Sequence, residues 1–149
     1  MTMPEKLHKQ RFSFLILVNR GMGSLGIEKA VESVHAALKE KLGLDAELTA
    51  SSVWYKEHFS RCGDWDSWIW ETVTGKSYDT RKPHFAGFIV CEEKLGRANA
   101  QIVDLAVRNK KVVLFCRKDL PLSEVEGTEE TDPDNWKQGW KVTLGRVVQ

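Results

Sequence analysis

Three short runs of apolar, strand-favouring residues constrain this chain more than anything else in it. Residues 12–18 read FSFLILV, residues 85–91 read FAGFIVC and residues 111–116 read KVVLFC. None alternates cleanly between apolar and polar, so a strand built from any of them has no face to give to water. Such strands suit the interior of a parallel sheet covered on both sides. Parallel neighbours need long crossovers, and the chain supplies them. Residues 97–109 place Ala98, Ile102, Leu105 and Ala106 on one helical face, so residues 85–116 read as strand–helix–strand. After the first run, Ile27, Ala30, Val31, Val34, Leu38 and Leu42 recur at three- and four-residue spacing. Gly26 opens that helix and Gly43 stops it.

The other elements follow from weaker signals. Residues 44–53 alternate Leu44, Ala46 and Leu48 with Asp45, Glu47 and Thr49, the pattern of a second, half-exposed strand. Residues 54–83 hold four of the six tryptophans. Within them Trp65, Trp68, Ile69 and Thr72 fit one face of a helix N-capped by Asp64 and ended by Gly75, and residues 76–83 (KSYDTRKP) have turn composition. Residues 119–135 carry seven acids and no base and read as a solvated acidic loop. Residues 140–144 (WKVTL) alternate and suit a last edge strand. The expected fold is therefore α/β: a Rossmann-like or flavodoxin-like three-layer sandwich with a mainly parallel sheet. Strand one is central, strand two lies outside it, and the 85–91 strand lies on its other side. One domain spans residues 1–149, beginning with a loose basic arm over residues 1–11.

Composition excludes more than it identifies. The 149 residues carry 22 Lys+Arg against 21 Asp+Glu, a formal net charge of +1. That balance offers no bulk basic field and disfavours nucleic acid as a partner without removing it. A chain of this length buries about 68–70% of its unfolded surface, enough for a core without disulfide or metal staples, and nothing demands a cofactor. Cys62, Cys91 and Cys116 are an odd number, two of them inside apolar runs, so no disulfide framework is expected. No apolar stretch approaches the ~20 residues of a membrane span, and the expected location is cytoplasmic, with no membrane partner.

Chemistry concentrates in two loops. After the first run comes NRGMGSLG, residues 19–26, in which Gly21-x-Gly23-x-x-Gly26 joins a strand to a helix. Glycines there let backbone N–H groups approach an anion, and the helix N-terminus adds partial positive charge. Asn19, Arg20 and Ser24 lie in the same loop. The pattern departs from the dinucleotide fingerprint: Asn19 and Arg20 delay the first glycine, and Asp45 and Glu47 fall too early on strand two to hold a ribose, so NAD(P) chemistry is not expected. The second loop, residues 92–99, contains Glu92, Glu93, Arg97 and Asn99. With the expected strand order both loops flank the switch point, where a nucleotide-type ligand would find donors on Gly21, Gly23 and Ser24. Arg20 and Arg97 would supply charge, and Glu92 or Asn99 a hold on the sugar. In an enzyme, Glu92 or Glu93 would be the catalytic carboxylate. The plainer alternative is a glycine turn that only feeds a helix, beside two solvated glutamates.

Residues 87–115, GFIVCEEKLGRANAQIVDLAVRNKKVVLF, resemble the second half of the nucleoside 2-deoxyribosyltransferase-like Rossmannoid group, and with the glycine loop the resemblance spans about half the chain. It implies either cleavage or transfer at an N-glycosidic bond by a helix-borne glutamate, or ligand sensing without catalysis. At the corresponding region this chain has Gln101, with Asp104 one turn later. An amide cannot serve as a carboxylate nucleophile, so transfer chemistry would need Glu92, Glu93 or Asp104 to take over.

A different class of function is also written in the sequence. Trp65 and Trp68 have core spacing, but Trp70 faces another way, and Trp70, or Trp54 with Tyr55, could stack a base or meet a protein partner. Arg61, Lys76, Arg81 and Lys82 surround these aromatics, the interleaving seen in single-strand binders. An exposed tryptophan surface also leaves homodimerisation open. His58 and Cys62 have helical ligand spacing, yet no second pair completes a four-ligand set, so no metal is expected and His58 reads as a surface residue. His35 reads as packing, and His84 has no expected role.

Overall fold

The computed structural model describes residues 12–19, 21–75 and 85–148. Arg20, the arm over residues 1–11 and the expected turn over residues 76–83 lie outside them. In chain order the elements are β1 (Phe12–Leu17), α1 (Ser24–Leu42), β2 (Ala46–Ala50), α2 (Ser51–Cys62), α3 (Trp65–Thr74), β3 (Gly87–Val90), β4 (Lys94–Leu95), α4 (Arg97–Arg108), β5 (Val112–Phe115), β6 (Ser123–Glu130) and β7 (Trp140–Val147). The fold is α/β, with seven strands in one sheet ordered β2-β1-β3-β5-β6-β7-β4.

The three apolar runs became the inner parallel strands. β1 pairs in parallel with β2 and β3, and β3 with β5. Leu15, Ile16, Phe88, Ile89 and Val90 have no exposed surface. Side chains alternate between two apolar clusters. Phe14, Ile16, Ile89 and Leu114 face Val34 and Leu38 of α1. Leu15, Leu17, Phe88, Val113 and Phe115 face Trp54 of α2, Trp68, Ile69 and Val73 of α3, and Ala100, Ile102, Val103 and Ala106 of α4. The small side chains of α4 let it lie close on the strands it connects.

The sheet is mixed rather than mainly parallel. β6 is antiparallel to β5 and to β7, and β7 is antiparallel to the two-residue β4. The expected acidic loop over residues 119–135 therefore holds a strand. Ser123 and Val125 turn inward while Glu124 and Glu126 face solvent, and Glu129 stands opposite Lys141 of β7, a favourable cross-strand pair. Acids on the wet side of a strand give it the composition of a loop, which hid it. Register shifts interrupt the ladder between Ser123 and Gly127, the kind of irregularity that bends a strand. Its backbone then meets α4, where Asp104 accepts hydrogen bonds from the Thr128 amide at 2.9 Å and its hydroxyl at 2.8 Å.

Two boundaries also moved. α1 begins at Ser24, so Gly26 sits inside its first turn instead of opening it. The second strand stops at Ala50 because Ser51 starts α2, a helix absent from the sequence reading. The buried Ser51 hydroxyl accepts a 2.9 Å hydrogen bond from the Val18 amide just past the end of β1, which ties the helix start to the central strand. The Trp54 indole donates to the Thr72 hydroxyl at 2.9 Å and fixes α2 against α3. α3 runs from its Asp64 cap to Gly75 as expected. The Asp64 carboxylate accepts from the Ser67 amide at 2.8 Å and the Ser67 hydroxyl at 2.9 Å, and these bonds hold its pKa below the usual value.

Gly87 sets the spacing at the middle of the sheet. It stands in register between Phe14 and Val112, and a Cβ there would lie 2.6 Å from the Phe14 ring and 2.8 Å from the Val112 carbonyl oxygen. The ring can shift, but the carbonyl belongs to a paired strand. Gly87→Ala should therefore destabilise the fold by about 1–3 kcal/mol, the usual range for overpacking. In guanidinium titrations the midpoint should fall with an unchanged slope; an unmoved midpoint would mean that β5 yields freely.

Candidate functional site

Strand order reverses at β1: the chain leaves it through α1 to β2 on one side, then returns to β3 on the other. Ligands of open α/β sheets sit outside the carboxyl ends of the strands at such a point. The 19–26 and 92–99 loops both start there, and the structure ties them together. Asn19 donates its amide to the Lys94 carbonyl at 2.8 Å. Asn99, in the first turn of α4, donates to the Val18 carbonyl at 3.0 Å and to the Asn19 side-chain oxygen at 3.4 Å. Asn19 and Asn99, expected to touch ligand, thus spend much of their bonding capacity joining the loops.

The two helix N-termini at this switch point differ. α4 starts after Gly96 without a side-chain cap, but its Arg97 amide donates to the Trp136 carbonyl at 3.2 Å, so the tip of the β6–β7 hairpin occupies that end. α1 has neither a side-chain cap nor an acid in its first turn. Ser24 is its first residue and is exposed. Gly21 takes φ +90°, a left-handed turn that favours glycine. Gly23 has φ −73° and ψ 167°, which any residue adopts, and a side chain there would meet nothing within 4 Å. Gly23 is the N-cap of α1, a position that favours glycine over residues with apolar side chains.

The glutamates separate cleanly. Glu93 is exposed and pairs with Arg117 at 3.4 Å. Glu92 is half-buried, and among the described residues no hydrogen bond or ion pair engages its carboxylate. Arg97 is exposed with no ion pair to any described residue. Asp104 is committed to Thr128, and Gln101 lies half-buried within α4. β4 and the Trp136 tip were not foreseen as part of this region; the alternation beginning at Trp140 was the only signal, and it said nothing about which strand β7 would join.

One residue beyond β3 and β5 stand Cys91 and Cys116, and the Cys116 amide donates to the Val90 carbonyl at 2.8 Å. Burial pushes the Cys91 thiol up to about 12, helped by negative charge at Cys116 and Glu92. Burial raises Cys116 as well. Neither is a nucleophile at neutral pH.

Elsewhere the expectations divide. Trp54 and Trp68 are buried, which removes Trp54 as a platform. Trp65, expected in the core, is 41% exposed because it is the first residue of α3, at the rim. It stacks on Tyr55 with centroids 5.1 Å apart, and Tyr55 is therefore covered. Trp70 is 46% exposed. His58 is not a surface residue: its ring lies 3.6 Å from that of Trp54, centroid to centroid. Cys62, one turn on, donates to Glu71. His35 is half-exposed beside Asp45 at 3.3 Å rather than packed. Among the described residues no helix is long and apolar enough to cross a membrane.

Comparison of the chain with family models, with curated proteins and with solved structures finds no match.

The thiol environment predicts protection. In the native protein at pH 8, iodoacetamide should leave Cys91 and Cys116 unmodified while labelling both after unfolding in guanidinium. Equal labelling before and after unfolding would show that this end of the sheet is open to solvent.

Proposed function

We propose that this chain binds a nucleotide or nucleoside-phosphate-type small molecule at the carboxyl ends of β1 and β3, in a Rossmann-like three-layer frame of flavodoxin-type strand order. The reading is carried by one juxtaposition: the start of α1, whose Gly23 N-cap contributes no side-chain cap, beside a half-buried Glu92 whose carboxylate has no hydrogen-bond or ion-pair partner among the described residues. First-turn N–H groups and the helix dipole suit a phosphate, with Ser24 adding a hydroxyl. A carboxylate is acceptor-only when ionised, so Glu92 suits the hydroxyls of a sugar. Arg97 is a second source of charge for the phosphate. Arg20 belongs to the same loop by sequence.

A second reading, cleavage or transfer at an N-glycosidic bond, is favoured by the state of Glu92 alone. Gln101 is an amide, Asp104 clamps the hairpin and Glu93 faces Arg117, so Glu92 is the carboxylate left to stabilise positive charge at the anomeric carbon.

Thermal shift against nucleotides, nucleosides and dinucleotides, with chromatography of each mixture, tests both readings. A ligand at 100 times its Kd adds ~2.7 kcal/mol to the folded state. Gly23→Val should lower the stability of the free protein only slightly, by the ~1 kcal/mol typical of an N-cap change, and lose the ligand-induced shift. If the valine variant binds as well as wild type, the crevice is the wrong site. Intact ligand after incubation supports binding alone. A released base that disappears in Glu92→Gln while affinity persists supports the enzyme.

A further inference from the structure

The short ladder between β4 and β7 sets two cations against each other. Lys94 stands opposite Lys141, and Leu95 opposite Trp140. One step along, the Val142 amide donates to the Glu93 carbonyl at 2.9 Å, which makes 93 and 142 a hydrogen-bonded pair and Lys94 with Lys141 a non-hydrogen-bonded one. Pairs of that kind are the closest in an antiparallel ladder, with Cα atoms about 4.5 Å apart and both side chains on one face. Leu95 is buried and Trp140 half-buried in the cluster around α4, so the two lysines occupy the other, exposed face. Like charges directly opposite each other destabilise a sheet.

The rest of the fold does not offset this repulsion. Among the described residues neither ammonium has an ion-pair partner. Glu129 stands across Lys141 on the β6 side without forming an ion pair to it. β4 is the last strand of the sheet, and a lysine on an edge strand deters pairing with other chains, which accounts for Lys94. It does not account for a second lysine on β7, which is paired on both sides. The backbone beneath the pair is also fixed, since the Lys94 carbonyl accepts from the Asn19 side chain at 2.8 Å. A local rule broken on fixed backbone, without compensation from the protein, marks a functional position.

We propose that Lys94 and Lys141 form an anion subsite for a pyrophosphate group, independent of the α1 N-terminus. A lysine ammonium has three donors and no acceptor and meets phosphate as a point charge. Two side by side suit two linked phosphoryl groups, each ammonium with its own oxyanion, and the bound anion replaces mutual repulsion with attraction to a shared partner. The pyrophosphate is either free or the outer phosphates of a nucleotide.

Thermal melts and titration calorimetry with pyrophosphate, ADP, AMP and a short oligothymidylate test the subsite on wild type, Lys94→Glu, Lys141→Gln and Gly23→Val. Without ligand, Lys94→Glu should melt about 1–4 °C above wild type, because an attractive surface pair replaces a repulsive one. A melting temperature no higher than wild type overturns the premise that the lysines repel. Pyrophosphate should stabilise wild type and bind Lys94→Glu and Lys141→Gln weaker by roughly ten-fold or more. Both substitutions are at exposed positions, and the bonds to Asn19 and β7 use the backbone, so both variants should fold. Pyrophosphate that ignores wild type, or binds both lysine variants equally well, overturns the subsite. Loss in Gly23→Val alone also overturns it and gives the anion to the α1 N-terminus. ADP that outbinds AMP, with the advantage lost in the lysine variants, supports the subsite with a nucleotide as the source of the phosphates. Lysine-dependent pyrophosphate binding without binding of either nucleotide supports it with free pyrophosphate and sinks the crevice reading. Oligothymidylate held more tightly than pyrophosphate or ADP overturns the pyrophosphate assignment in favour of a nucleic-acid backbone.

Discussion

Everything in this fold answers to the burial of β1 and β3 on both faces. Their central residues have no contact with water, so each backbone N–H and C=O along them must find a protein partner. That requires a strand on either side, which β2 and β5 provide, and an apolar layer above and below. α1 supplies one layer, and α2, α3 and α4 the other. Polar groups just past the strand ends face the same demand. Val18 meets it with its amide on the Ser51 hydroxyl and its carbonyl on the Asn99 amide.

The same requirement shapes the crevice. Just past the end of β1, the Val18 carbonyl accepts from the Asn99 amide at the start of α4, which ties the strand end to that helix. Hydrogen-bonding capacity is thereby redistributed: asparagines become struts, the α4 N-terminus goes to the hairpin tip, and the Glu92 carboxylate engages no partner among the described residues.

The hairpin is the departure from a simple parallel architecture. β6 continues the sheet for two residue pairs with β5, then bends through register shifts, crosses to α4 and is held there by Asp104. Its far end pairs with Lys94 and Leu95 beyond β3. One ribbon thus joins the outer edge of the sheet to the switch point and brings Trp136 there, although about forty residues separate the two in sequence.

Much of the fold was legible in the residues. FSFLILV, FAGFIVC and KVVLFC are short, apolar and bounded, and local periodicity fixes α1, α3 and α4, because burial of a continuous stripe leaves little freedom. The β2-β1-β3 order was expected from the flavodoxin-like arrangement that alternating strands and helices suggest, and the sheet has it. β6 and α2 were illegible, since solvent-facing acids disguised a strand and Ser51 could be recognised as a helix start only once Val18 needed its hydroxyl. The glycine loop and both glutamates were visible as residue types, and their capacity was not. Whether Asn99 holds a ligand or a strand end, whether Glu92 or Glu93 has an ion-pair partner, and whether Trp136 reaches the crevice depend on contacts between residues far apart in the chain. Hydrogen-bond partners are chosen in three dimensions, and only the tertiary structure could decide them.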